Sequence, residues 1–404
     1  MKNSIKILCR KNEDFENVVR LMWDKYKAVY GGETELELVP LHLPKLHNAI
    51  LTDDFDIAHV NTDWLTESWE KGVLENLQKY TETKPPEDYP TGWPEALLKL
   101  QTFPDGLAGI PFHDGPECLI FRKDLFADED NKRLFKEKYG YELTPPSTWD
   151  EFKNAAEFFN RPEEGMYGTL FALYPDGHNN IFDFALQVWS RGGSIEDENG
   201  NITLDTKKAE EALEFYRNLV KSEFVHPKSK DMESIESSRA FARGEAAMMV
   251  NWFGFATMCE TTDGSRVKGK VDIAAVPHSN EISDPVSLNV YYTWSISANS
   301  EHKKEAWDFI TNAVTRENDI NLPLMGAIGC RKSTWYNERV NSVIPYYSRM
   351  EEIHSYAKTL PRTAKWHDVS EIIDRLMTRV NSTDEPVSVI LKDAQAEIDI
   401  LFAK

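Results

Sequence analysis

Asp56-Ile57-Ala58-His59-Val60-Asn61-Thr62-Asp63-Trp64 is the stretch that decides the fold. Its apolar part is short and bounded by polar residues, as in a buried strand of a parallel sheet. A helix follows over Asp63–Lys71, and Gly72 stops it. Upstream, Ser4–Cys9 reads as a strand. Phe15, Val18, Val19, Met22, Tyr26 and Val29 recur at helical spacing over Phe15–Tyr30, and Glu35–Val39 is a second strand. A β-α-β-α-β start of this kind builds a parallel sheet, whose ligands sit beyond the carboxyl ends of its strands.

Working outward, strands and helices continue to alternate, which gives an α/β fold class. Pro85–Pro94 has loop composition, and Cys118-Leu-Ile-Phe is a strand running into a helix start at Arg122-Lys-Asp-Leu-Phe. Thr148 with Glu151 three residues on forms a capping box for the next helix. Ser190-Arg-Gly-Gly ends a helix at a glycine. Further helices are expected at Thr206–Ser222, Phe241–Val250, His302–Val314, Leu376–Val380 and Val387–Leu401.

The 404 residues carry 46 Lys+Arg against 67 Asp+Glu, a net charge of −21. That balance disfavours nucleic acid, whose phosphates need Lys and Arg, and anionic lipid surfaces. Neutral or cationic small molecules, or a protein with a basic patch, remain. No stretch approaches the roughly 20 apolar residues of a membrane span. Cys9, Cys118, Cys259 and Cys330 are far apart and form no CxxC, so metal and redox chemistry are not supported and no essential disulfide is expected. There is no GxSxG elbow, HExxH or P-loop.

Several blocks, in order, carry a family resemblance. They are Asp56–Trp64 with Gly72-Val-Leu, Gly109-Ile-Pro-Phe with Leu119-Ile-Phe-Arg-Lys-Asp-Leu-Phe, Pro146-Ser-Thr-Trp-Asp-Glu-Phe, Phe241-Ala-Arg-Gly-Glu-Ala-Ala-Met-Met-Val-Asn, and Trp294–Ile310. Together they resemble the extracellular solute-binding proteins of ABC importers, of the sugar-binding type related to maltodextrin-binding protein. The resemblance runs from about Ile5 to Leu401. Val290-Tyr291-Tyr292 stands where the family usually has Gly-Gly, and Gly326–Arg331 departs from its G-x-x-P turn, so a maltose-type pocket does not carry over.

The resemblance implies a two-lobed periplasmic-binding-protein fold (type II). Three hinge crossings are expected near Pro111–Gly115, Val276–Ser279 and Asn318–Leu324, with the ligand clamped in the cleft. One lobe would comprise 1–110 and 277–317, the other 114–275 and 322–404. Where the family pocket would lie, the sequence offers Asn61, Asp63, Trp64, His113, Asp114, Glu117, Phe182, Asp183, Asn251, Trp252, Tyr291, Tyr292, Trp294, Arg331 and Trp366. Carboxylates, amides and Arg satisfy sugar hydroxyls, and aromatic rings stack on pyranose faces. Trp64 and Trp252 are expected to stack on the ligand, each worth about 1.5–3 kcal/mol.

The resemblance further implies a non-catalytic monomer without cofactor or metal that delivers a carbohydrate to ABC permease membrane subunits. It implies export, to a periplasm or as a cell-surface lipoprotein; Met1–Arg10 reads as a strand and not as a signal peptide. Two other readings stay open. One is a polyamine or other small-solute receptor of the same fold. The other is a glycoside hydrolase, which needs two carboxylates about 5–10 Å apart.

Overall fold

The computed structural model describes residues 4–403, which fall into two compact units. The first comprises 1–115, 290–351 and 362–366, the second 116–289, 352–361 and 367–404. The chain passes from the first unit to the second after Gly115. It returns to the first unit after Asn289 and leaves it again after Glu351. Residues 277–289 stay with the second unit because His278 bridges Thr148 and Ser287–Leu288 pairs with Ala357–Lys358. Residues 322–351 stay with the first because Asp319 accepts from the Cys330 and Arg331 amides at 2.9 and 3.1 Å and from Thr334 Oγ1 at 2.5 Å.

In the first unit the decisive stretch is a strand, Ile57–Asn61, buried throughout. It lies inside a five-stranded sheet ordered Glu35–Leu41, Ser4–Arg10, Ile57–Asn61, Tyr292–Ile296, Ile110–His113. The first three strands are parallel, and Tyr292–Ile296 runs antiparallel to both its neighbours. Strands Ser4–Arg10, Ile57–Asn61 and Ile110–His113 therefore point the same way, and their carboxyl ends share one edge. The helix Glu13–Tyr30 starts where the Asn12 side chain accepts from the amides of Asp14 and Phe15, with Glu13, Asp14 and Glu16 in its first turn.

The second unit holds a four-stranded sheet ordered Val271–Ala274, Glu117–Arg122, Ala246–Trp252, Tyr167–Leu170. The capping box at Thr148 and Glu151 opens the helix Trp149–Phe158 as expected. Lys207–Val220 buries Ala209, Ala212, Leu213, Tyr216 and Leu219 on one face.

One expected helix is mostly a strand. Helix Ser234–Ala242 ends before Gly244, whose φ of 83° breaks it, and Ala246–Trp252 then runs extended in the sheet. The run Ala-Ala-Met-Met-Val is apolar at every position, so its periodicity could not separate helix from a strand covered on both faces.

Candidate functional site

At the carboxyl edge of the first unit's sheet, Asn61, Tyr292 and His113 are neighbours across three strands: Tyr292 pairs with Asn61 on one side and His113 on the other. Residues directly opposite in a ladder share a face, so these three side chains form one lateral row. Phe15 closes one side, its ring 4.6 Å from His113 and 5.9 Å from Tyr292. Arg10 ends its strand at the same edge, and its charge acts on both His113 and Tyr292.

The Tyr292 hydroxyl lies near Arg10 and Asn61, close enough for both to affect its acidity. Neither it nor Asn61 Oδ1, both buried, completes a well-formed hydrogen bond among the described residues. Burial, and then the charge of Arg10, holds the His113 imidazole down at about 3, so it is neutral; its Nδ1 accepts from the Ile328 amide at 3.0 Å. Asp63 lies in the turn Thr62–Trp64 that follows the strand. Burial pushes its carboxyl up to about 7, against the charge of His47, and among the described residues its Oδ1 has no partner. This edge thus presents a cation, an amide, a phenol and a carboxyl whose hydrogen-bonding capacity is partly unspent. Buried polar atoms left without partners cost about 1–3 kcal/mol each, and a polyhydroxyl ligand would offset that.

The second unit carries a different set. Glu117 stands opposite Trp252 in the antiparallel ladder. The Trp252 ring meets Phe182 edge-on at 5.0 Å and stacks near His178 at 6.1 Å, and its Nε1 is buried without a partner. Tyr216 donates its hydroxyl proton to Asp183 Oδ2 at 2.5 Å. Burial lifts Asp183 to about 7, and burial followed by the Asp183 charge lifts Glu117 well above the usual carboxylate range.

Other expected contacts are occupied elsewhere. Trp64 is 8% exposed and packs in the core of the first unit with Leu46, Ala49, Ile50, Val60, Leu65 and Leu74. Trp294 is fully buried between His59, Phe112 and Phe309. Arg331 is also buried: it donates to Val314 O at 3.0 Å, Glu87 O at 2.8 Å and Asp88 Oδ2 at 3.1 Å, with its guanidinium 4.3 Å from the Trp93 ring. The Tyr291 hydroxyl is within 2.7 Å of both Leu97 O and Gln101 Oε1. Asn251 donates to Ser237 Oγ at 3.1 Å and accepts from the Trp252 amide at 2.9 Å. These groups hold their own unit together. Asp114 and Trp366 are buried in the first unit, the Trp366 indole Nε1 without a partner.

Arg10, Tyr216 and His178 were not among the expected residues. Arg10 had a usable signal, since it ends a strand of the parallel sheet. Tyr216 had none, because its helical spacing reads as core. An open depression of about 730 Å³ on the first unit, lined by Lys25, Glu87, Arg316 and Glu317 among others, holds none of these residues.

Residues 25–320 match the family described as bacterial extracellular solute-binding protein. A protein of Deinococcus radiodurans named as a probable ABC transporter-binding protein is 23% identical over 336 residues, which is 81% of this chain and 75% of that protein. A maltose-bound protein of T. maritima has a TM-score of 0.84 at 21% identity, covering 98% of this chain and 99% of its own. An ABC transporter solute-binding protein of Agrobacterium radiobacter K84 in complex with ribitol has a TM-score of 0.85 at 20% identity, covering 98% of each chain. The fold is that of the two-lobed periplasmic binding proteins (type II), with α/β lobes.

Proposed function

Because this chain belongs to the bacterial extracellular solute-binding protein family, we propose that it captures a carbohydrate or polyol and hands it to the membrane permease of an ABC importer. It is a receptor and not an enzyme, exported to the periplasm or held at the cell surface, and it works as a monomer. The observation that carries the reading is the carboxyl edge of the first unit's sheet. There Arg10, Asn61, Asp63 and Tyr292 offer donors and acceptors close together, and among the described residues Asn61 Oδ1, Asp63 Oδ1 and the Tyr292 hydroxyl complete no well-formed hydrogen bond. Carboxyl ends of parallel strands are where ligands of open α/β sheets bind. A polyhydroxyl ligand both donates and accepts, which suits a row containing an amide, a phenol and a carboxyl.

The maltose and ribitol of the two structural relatives support this ligand class. Thermal shift against alditols, hexoses and malto-oligosaccharides tests it. A ligand at 100 times its Kd adds about 2.7 kcal/mol of stability, so one or more members should raise the melting temperature by several degrees. A flat response across the panel, with a shift from amino acids or peptides instead, would replace the reading.

A further inference from the structure

The row at the carboxyl edge of the first unit's sheet is uneven in what it offers, and its His113 end offers donors. His113 is the one partly exposed residue of its strand Ile110–His113. Its Nδ1 accepts from the Ile328 amide at 3.0 Å. A backbone amide only donates, so that nitrogen carries no proton and the ring proton sits on Nε2. Tyr292 stands beside it in the ladder, the two rings 6.1 Å apart, and among the described residues its buried hydroxyl completes no well-formed hydrogen bond. Phe15 backs both rings, at 4.6 and 5.9 Å. Arg10 ends its strand at this edge, partly exposed and close to the Tyr292 hydroxyl. The chain has 67 Asp+Glu against 46 Lys+Arg, yet among the described residues no carboxylate lies within ion-pair distance of this guanidinium. A partly buried cation without a counter-charge is costly.

We infer that this end of the row receives a carboxylate, so the ligand is an acidic sugar or polyol: a uronate or an aldonate. The inference rests on the carbohydrate reading above and narrows its ligand class. A carboxylate only accepts, and its two oxygens offer about four lone-pair sites. It takes the His113 Nε2–H, the Tyr292 hydroxyl proton and the Arg10 guanidinium together. Charge-assisted bonds of this kind are roughly twice as strong as neutral ones. A hydroxyl in the same place must also donate its own proton, which neither Nε2–H nor the guanidinium accepts, and it leaves the cation uncompensated. Asn61, on the other side of Tyr292, turns an acceptor to the ligand's hydroxyls. The net charge of −21 opposes an anion at a distance, but salt screens that repulsion beyond about 8 Å, whereas the three donors act in contact.

Matched pairs test this by titration calorimetry at neutral pH and physiological salt. The pairs are D-glucuronate with D-glucose, D-galacturonate with D-galactose, and D-gluconate with D-glucitol. The acid member of at least one pair should bind about ten times tighter than its neutral partner or better. Arg10→Met, which keeps the apolar stem and removes the charge, should bring the two members within about threefold. Arg10→Lys, which keeps the charge, should restore part of the preference. Melting curves of both variants establish that they fold. Neutral members binding as tightly as their acid partners would overturn the inference and leave the carbohydrate reading standing. An acid preference that Arg10→Met leaves intact would overturn it as well. Binding by no member of any pair would also overturn it, and together with a flat response across the wider sugar panel it would overturn the carbohydrate reading too.

Discussion

Trp64→Ala separates two roles that the sequence leaves open for one residue. If this indole stacked on a ligand, its removal would cost affinity and leave the free protein's stability alone. Its surroundings point the other way. The ring is 8% exposed and packs among Leu46, Ala49, Ile50, Val60, Leu65 and Leu74, with the His47 ring 5.2 Å away. A Trp→Ala change in such a site removes the transfer energy of the ring and leaves a cavity, together about 3–5 kcal/mol. For a unit of this size each kcal/mol lowers Tm by roughly 2–4 °C, so the melting transition of the first unit should fall by about 10 °C. Trp64→Phe refills most of the space and should lose less than half as much. The assay is differential scanning calorimetry of the ligand-free variants beside titration of the folded protein with its sugar. A Tm within 2 °C of the parent, combined with a tenfold or greater loss of affinity, would refute the packing argument and return Trp64 to the ligand.

Other outcomes follow from the same geometry. Arg331→Met leaves Val314 O and Glu87 O without this donor, while Asp88 keeps Arg316; unfolding should become easier by about 1–3 kcal/mol for each carbonyl left unsatisfied, with ligand affinity unchanged in the folded variant, as denaturant titration and calorimetry will read. Asp63 is held near 7 by burial against 3.8 in the unfolded chain, so the folded state keeps a proton that the unfolded chain has released between those values. Stability should therefore fall as pH rises through that window and level off above about 7, by at most about 4 kcal/mol at 1.36 per unit. Unfolding free energies from pH 4 to 8 should show that slope flattened in Asp63→Asn. All four cysteines are buried and free, and burial pushes the Cys9 thiol up to about 12. A thiol reagent should label none of them in the native protein and all four after denaturation.

Much of the fold could be read because local signals agree with the tertiary structure. The strand Ile57–Asn61 is apolar where it is covered and polar where it leaves the sheet. Thr148 with Glu151 caps the helix that it announces. Ala246–Trp252 failed as a helix because a strand buried on both faces has no period to read. The domain boundaries after Asn289 and Glu351 were illegible for another reason: they depend on pairings such as Ser287–Leu288 with Ala357–Lys358, about seventy residues apart.

The candidate site divides along similar lines. Asn61 and Asp63 could be placed because a strand end fixes where they lie, and Tyr292 only through the family resemblance. Arg331, Tyr291 and Trp294 have the residue types of a sugar site, but their partners come from distant segments, among them Glu87, Leu97 and Phe112. Composition marks what a side chain can bond; only packing decides whether that capacity is already used.

The central claim is that the carboxyl edge of the first unit's sheet holds the sugar. Calorimetric titration of Asn61→Ala with the best ligand from the panel tests it most directly, because among the described residues Asn61 Oδ1 is buried at that edge without a well-formed hydrogen bond. The account predicts one ligand per chain for both proteins, a Kd weakened tenfold or more in the variant (about 1.4 kcal/mol), and a ligand-free melting temperature within 2 °C of the parent. Equal affinity in the two proteins would contradict it.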